Sequence, residues 1–422
     1  MSAQAEPIAP KPAAAAKTEP APPTLVVGHW PHLRGKDSIA RIMWSVAACL
    51  VPAALASGWF FGIRAYMHIG LAAATAVVTE AAIQRLRKVP VTVSDGSAVV
   101  TGILTAFCLP AQAGWYVPVV ASLVAVAIAK QCFGGLGANV WNPALIGRAF
   151  VHVAYPVDLN PSAYPVLTSG RVTANLGTAG DALPAGVQAV TGASPLAQMK
   201  AACHAVTGAT PGANQLKAGV EAAAADIQAA LAQAVQQAQD QIHAGLTGGL
   251  PHLGDMLMGS RGGSIGETSA LLLALGAVYL IAKGWVRWQI PAAYFGAVIL
   301  GALALPIHLA AEVTQGTAVV ASRDQYLWAA AWMPELAWKY VAYHVLSGGL
   351  VLGALYMATD MVTSPLTGRG MLIFGAGCGV LTILIRLYGG YPEAVCYSIL
   401  LMNTTVALID RYTLPRIFGH EK

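Results

Sequence analysis

Two near-identical hexapeptides, VTGASP at 190–195 and VTGATP at 206–211, hold the residues of this chain best placed for covalent chemistry. Each presents a hydroxyl, Ser194 or Thr210, behind Gly-Ala and before Pro, in a turn-forming stretch that continues neither a strand nor a helix. A hydroxyl held this way is accessible to covalent modification, with a separate enzyme performing the chemistry. The plainer alternative is a local duplication in an Ala/Gly-rich loop. Two acidic residues stand beside small hydroxyls: Asp95 near Ser94 and Ser97, and Asp360 near Thr359, Thr363 and Ser364. Such carboxylates either cap helix starts or line an ion or ligand passage. Asn139, Asn142 and Asn403 are amides with Gly, Pro or apolar neighbours, and a buried amide needs backbone groups or a polar ligand as partners. Glu267 precedes an apolar run, where a carboxylate complements a helix N-terminus. Arg148 and Arg386 interrupt apolar stretches and either snorkel or face an anionic partner.

The six cysteines are scattered without metal-type spacing, which predicts no Cys-ligated metal site in this chain. The GGLGAN at 134–139 runs into an NP rather than the helix of a βαβ unit, so it is no dinucleotide fingerprint. Net charge is +5 without a basic block, which argues against a nucleic-acid partner.

The elements that position these residues belong to a membrane. Apolar residues make up 56% of the 422, charged residues only 10%, and mean hydropathy is +0.60. A soluble chain of this length needs more charge to cover its surface, so the sequence predicts an all-α integral membrane protein surrounded by lipid. Residues 1–28 are rich in Ala, Pro and Lys and read as a disordered tail. Apolar segments recur near 39–62, 66–84, 97–112, 115–133 and 141–155, then near 268–285, 291–311, 341–358, 371–387 and 393–411. Several approach the roughly 20 residues that span a bilayer, while 97–112 and 141–155 read as broken helices.

Arg34, Lys36, Arg41, Arg85, Arg87, Lys88, Lys130, Lys283, Arg287, Arg369, Arg411 and Arg416 fall on one side, leaving only Arg64 in the short loops of the other. The positive-inside rule therefore places both termini in the cytoplasm and the 156–266 insert outside. Within the insert, 214–246 reads as a helix. The domains that follow are a tail at 1–28, a first membrane repeat at 29–155, the insert at 156–266, a second repeat at 267–411 and a cytoplasmic tail at 412–422. Motifs echo between the halves, and an odd number of crossings in each makes the copies inverted.

Five ordered blocks carry a family resemblance: SDGSAVVTGILTAFCLP, KQCFGGLGANVWNPALIGRAF, GGSIGETSALLLALGAVYL, ATDMVTSPLTGRGMLIFGAG and IRLYGGYPEAVCYSILLMNTTVALID. They resemble the family of the D subunit of the Rnf electron-transport complex and the B subunit of the sodium-pumping NADH:quinone oxidoreductase, with the Rnf type nearer. The resemblance implies about ten transmembrane helices in two inverted five-helix repeats, similar to urea and ammonium channels. It implies FMN joined through its phosphate to a hydroxyl of a (Ser/Thr)-Gly-Ala-Thr motif. Thr207-Gly208-Ala209-Thr210 matches that motif, making Thr210 the expected attachment point, and Thr191-Gly192-Ala193-Ser194 offers Ser194 as the alternative. The family's Asp three residues before the first hydroxyl is replaced by Gln188 and His204. A second, non-covalent flavin, riboflavin, is implied near Asn139 and Asn142.

The resemblance also implies a flavin transferase for maturation, partner subunits of the Rnf A, B, C, E and G type, and a bacterial cytoplasmic membrane. The function expected is ferredoxin–NAD electron transfer coupled to Na⁺ or H⁺ transport, with Asp95 and Asp360 as ion-path candidates and no catalysis by the chain alone. The alternative is a channel or secondary transporter of small polar solutes with the same repeat fold.

Overall fold

The structure, a computed structural model, describes residues 37–159, isolated positions between 228 and 247, 252–259, 263–389 except 268, 316 and 317, and 394–414. Residues 39–422 form one compact unit. Its first five helices are α1 (Ile39–Phe61), α2 (Ile63–Leu86), α3 (Ser97–Phe107), α4 (Tyr116–Val124, continued by a π-helical stretch Ala125–Gln131) and α5 (Pro143–Ala154). After the short α6 (Leu253–Met258) come α7 (Ala270–Ala282) and α8 (Gln289–Ala304). An antiparallel hairpin of β1 (Ile307–Gln315) and β2 (Ala318–Leu327) follows, with Ile307 opposite Leu327 and an irregularity at Val313/Thr314. The chain closes with α9 (Ala329–Trp332), α10 (Ala337–Leu346), α11 (Leu350–Leu352, continued by π-helical Gly353–Met357), α12 (Gly368–Tyr388) and α13 (Val395–Thr413).

By length and apolarity α1, α2 and α12 each suffice to cross a bilayer. The expected short helices are short: α3 stops at Phe107 and α5 starts only at Pro143. A third break lies where the sequence suggests none. The 341–358 segment divides at Ser347–Gly349 into α10 and α11, bent by 62°. The hairpin is a further departure, because the seventh apolar segment leaves the helix after Ala304, and Ile307–Gln315 and Ala318–Leu327 pair as strands.

Helix pairing recurs along the chain. Helix α2 packs on α3 and α4, and α4 on α5; likewise α8 packs on α10 and α12, and α12 on α13. Small residues set the closest of these approaches. A Cβ on Gly375 would stand 2.5 Å from the Ile290 carbonyl, and one on Gly379 2.6 Å from the Tyr294 carbonyl. Glycine at i and i+4 thus lets α12 lie backbone to backbone against α8. In the same contact the Tyr294, Thr382 and Ser398 hydroxyls close a buried triangle, 2.7 Å from Tyr294 to Thr382, 2.7 Å from Thr382 to Ser398 and 3.2 Å from Tyr294 to Ser398. The main core, with Leu50, Phe107, Leu145, Tyr294, Phe374 and Ile399, draws on both sequence halves.

Candidate functional site

Asn142 starts α5. Its Oδ1 accepts from the Ala144 and Leu145 N–H groups at 3.0 and 3.4 Å, and Pro143 fills the first helical position, where a missing N–H is harmless. Its Nδ2 is left to reach across and donate to the Met357 carbonyl at 3.1 Å, at the end of the π-helical part of α11. Asn403, on α13, accepts from the Asn142 N–H at 3.1 Å and donates to the Thr363 carbonyl at 3.2 Å. Asn139 donates to the Trp141 carbonyl at 3.3 Å and hydrogen-bonds Asp360.

Asp360 does not start a helix. It closes the turn after α11, accepting from the Val362 N–H at 3.5 Å and the Thr363 hydroxyl at 3.2 Å, while α12 is capped by Thr367. Burial pushes the Asp360 carboxyl above its ordinary range, opposed by those hydrogen bonds, the Asn139 amide and the charge of Lys130. Asp95 precedes α3, where its Oδ1 accepts from both the Ser97 N–H (2.8 Å) and the Ser97 hydroxyl (2.7 Å).

Ser97 Oγ in turn accepts from Lys130 Nζ at 2.7 Å, and Lys130 pairs with Glu80 at 2.8 Å. Both charged side chains are almost wholly inaccessible. Glu80 also accepts from Gln131 (3.0 Å) and Gln84 (3.3 Å), and Arg87 donates to the Gln131 carbonyl. Lys130 therefore belongs to a buried pair, a correction to its place among the loop charges that orient the chain. Sequence reasoning misses Glu80 altogether, although a carboxylate inside the 66–84 apolar segment and a lysine inside 115–133 each demand a partner.

These groups converge on one cleft of about 90 Å³. Its lining combines the polar groups of Ser97, Lys130, Asn139, Asn142, Thr359 and Asp360 with apolar side chains that include Val100, Leu104, Leu280, Trp285, Leu355 and Tyr356. The structure thus unites Asn139, Asn142 and Asp360 directly and joins Asp95 to them through Ser97. A few polar groups on an otherwise apolar concavity are what a small-molecule site requires.

A second cavity lies among Phe107, Cys108, Arg148, Glu267, Gly348 and Gly349. Glu267 is not at the start of α7, which Ser269 caps; it sits in the preceding turn and accepts from Ser264 at 2.9 Å. Arg148 and Arg386 are buried and serve broken helix ends. Arg148 donates to the Cys108 carbonyl after α3, and Arg386 to the His344 carbonyl in the last turn of α10 and to the Ser347 and Gly348 carbonyls beyond it. Thr207, Gly208, Ala209, Thr210 and Ser194 lie outside the described residues, as do Lys200, Arg261 and most of 214–246.

Apolar helices of spanning length, broken helices whose ends are satisfied by side chains, and a mixed polar and apolar cleft mark a helical membrane protein with an internal cleft. The chain belongs to the NQR2, RnfD, RnfE family, whose sequence profile matches residues 26–419. It is similar to the D subunit of the Na⁺-translocating ferredoxin:NAD⁺ oxidoreductase complex of Acetobacterium woodii, at 38% identity over 94% of this chain and 96% of the relative. It is also similar to the D subunit of the proton-translocating ferredoxin:NAD⁺ oxidoreductase complex of Clostridium ljungdahlii, at 39% identity over 92% of this chain and 94% of the relative. A third relative, the D subunit of the ion-translocating oxidoreductase complex of Cronobacter sakazakii, is 33% identical over 92% of this chain and 97% of the relative.

Proposed function

We propose that this chain is the flavin-carrying membrane subunit of a redox-driven ion-translocating complex that couples electron transfer between ferredoxin and NAD to Na⁺ or H⁺ movement. The observation that carries the reading is the near full-length similarity to the D subunits of two ferredoxin:NAD⁺ oxidoreductase complexes. One of those relatives is named for Na⁺ and the other for protons, so Asp95 and Asp360 are candidates on the path of either ion. The nicotinamide and iron–sulfur chemistry resides in partners of the Rnf A, B, C, E and G type, and the chain does not turn over alone. Ten crossings in two inverted repeats are supported by the recurring helix pairs, and the loop charges favour cytoplasmic termini in a bacterial cytoplasmic membrane.

FMN is tethered at Thr210, with Ser194 as the alternative, after modification by a flavin transferase. The tether raises the local flavin concentration and lets a partner subunit complete the pocket. The lining of the described cleft fits the chemistry of riboflavin: amides and a carboxyl at Asn139, Asn142 and Asp360 match a polar ring edge, and Trp285 and Tyr356 match an apolar ring face. At about 90 Å³ the cleft takes only the edge and has to widen to admit the whole ring. There Asn139 and Asn142 orient the ligand, and the flavin supplies one-electron chemistry.

The test is in-gel fluorescence of the denatured subunit from a host with the transferase, combined with acid extraction of the native complex. A fluorescent band at this chain's mass that Thr210→Ala or Ser194→Ala abolishes supports the covalent site. An extractable second flavin supports the cleft. A dark band and an empty extract would leave a channel of small polar solutes as the better reading.

A further inference from the structure

The Glu80–Lys130 pair does more than fasten α2 to α4. A buried ion pair is weak evidence for stabilisation, since desolvating two charges consumes much of their attraction. Its placement is asymmetric. Lys130 and Ser97 line the cleft, whereas Glu80 stands behind them outside its wall. A lysine ammonium has three donors; Glu80 and Ser97 take two among the described residues. The π-helical stretch Ala125–Gln131 contributes to this arrangement. It lets the consecutive residues Lys130 and Gln131 both reach the Glu80 carboxylate, which regular α-helical spacing, turning about 100° per residue, disfavours.

We propose that Lys130 is the positive charge the cleft presents to the electron-carrying ring, and that it sets how readily the ring is reduced. The inference rests on the reading that the cleft holds a flavin. An electron arriving from the complex's ferredoxin-linked subunits adds one negative charge to the cleft and later leaves for the next carrier. No bond to Lys130 forms or breaks, and its protons stay in place. A fixed cation on the wall favours that added charge. Glu80 compensates the cation while the ring is oxidised, and Asp95, reached through Ser97, and Asp360 oppose it. Lys130 and Glu80 are buried, so these charges are screened less than they would be in water.

The test is spectroelectrochemical titration of the acid-extractable flavin in the whole purified complex. Lys130→Gln should disfavour reduction about tenfold, a lowering of roughly 59 mV for a one-electron couple. Lys130→Arg keeps the charge and should keep the potential. If Lys130→Gln does not assemble because Glu80 is stranded, the double variant Lys130→Gln, Glu80→Gln removes the buried carboxylate as well and should show a lowering of the same sign. A midpoint unmoved in the charge-removing variant overturns the proposal, as does an Arg variant shifted as far as the Gln variant, which would indicate packing rather than charge. A wild-type complex without extractable flavin removes the cleft reading and this inference together; extractable flavin with an unmoved midpoint removes this inference alone.

Discussion

The Asn142 side chain donates to the Met357 carbonyl across 3.1 Å, joining the start of α5 to the end of the π-helical stretch 215 positions later. One amide thereby caps a helix and holds the two walls of the cleft together. Asn142→Ala removes the cap and orphans a buried carbonyl, an expected loss of about 2 kcal/mol. Asn142→Ser keeps a capping acceptor and is too short to reach Met357, so its melting temperature in detergent should fall less. Equal losses would mean that the capping acceptor contributes nothing.

Much of this arrangement is legible in the sequence. Asn139, Asn142, Asp95 and Asp360 stand out because polar residues flanked by Gly, Pro or small hydroxyls interrupt apolar runs. Their convergence is not legible, because Asn142 and Met357 are neighbours only through tertiary packing. Glu80 and Lys130 escape notice for a related reason: each sits singly in a helical segment, and they meet only through the packing of α2 against α4. The role of Asp360 is ambiguous in the sequence because a carboxylate near a helix start looks the same whether it caps the helix or closes the turn before it. Arg148 and Arg386 offered anionic partners or snorkelling as readings, and the structure adds the carbonyls of broken helix ends, which nothing in the local sequence announces.

Helix α12 should tolerate no side chain where it meets α8. Gly379→Leu places atoms into the Tyr294 carbonyl and Ala297, an overpacking expected to cost at least about 1–3 kcal/mol. Gly296→Ala on α8 is the control. A Cβ there meets nothing within 4 Å, and alanine favours the helix over glycine by about 0.5–1 kcal/mol. Thermal unfolding of the two variants should move in opposite directions; a Gly379→Leu protein as stable as wild type would refute the close approach.

Asp360 gives a pH dependence of defined sign. Burial raises its carboxyl in the folded protein, so the folded state holds the proton more tightly than the unfolded chain, whose ordinary value is near about 3.9. The contribution of this group to stability is fullest below that value and is lost as pH rises through the raised folded value. Asp360→Asn keeps an acceptor for Val362 and removes the buried charge. The variant should gain stability over wild type above the window and lose that advantage below about pH 4. Parallel melting curves for the two proteins between about pH 4 and 7 would contradict the shift. Ion-gradient formation by the assembled complex then separates the roles, because normal pumping by Asp360→Asn and Asp95→Asn would leave both residues as turn-formers.

Arg386 governs the break between α10 and α11. Its guanidinium donates to the carbonyls of His344, Ser347 and Gly348, the exposed acceptors of a helix that ends inside the protein. His344 and Ser347 are buried, so each carbonyl abandoned there carries a desolvation penalty. Arg386→Met should therefore cost about 3 kcal/mol, since hydrogen bonds from a charged donor are worth about 1.5–3 kcal/mol each and the backbone relaxes in part. Arg386→Lys retains the charge but not the planar fork, and a single ammonium cannot follow three carbonyls spread from His344 to Gly348, so it should recover only part of the loss. Limited proteolysis around Ser347–Gly349, run beside thermal melting, checks the mechanism. If the break stays protected and stability is unchanged in Arg386→Met, the guanidinium is not what holds the two helix ends in place.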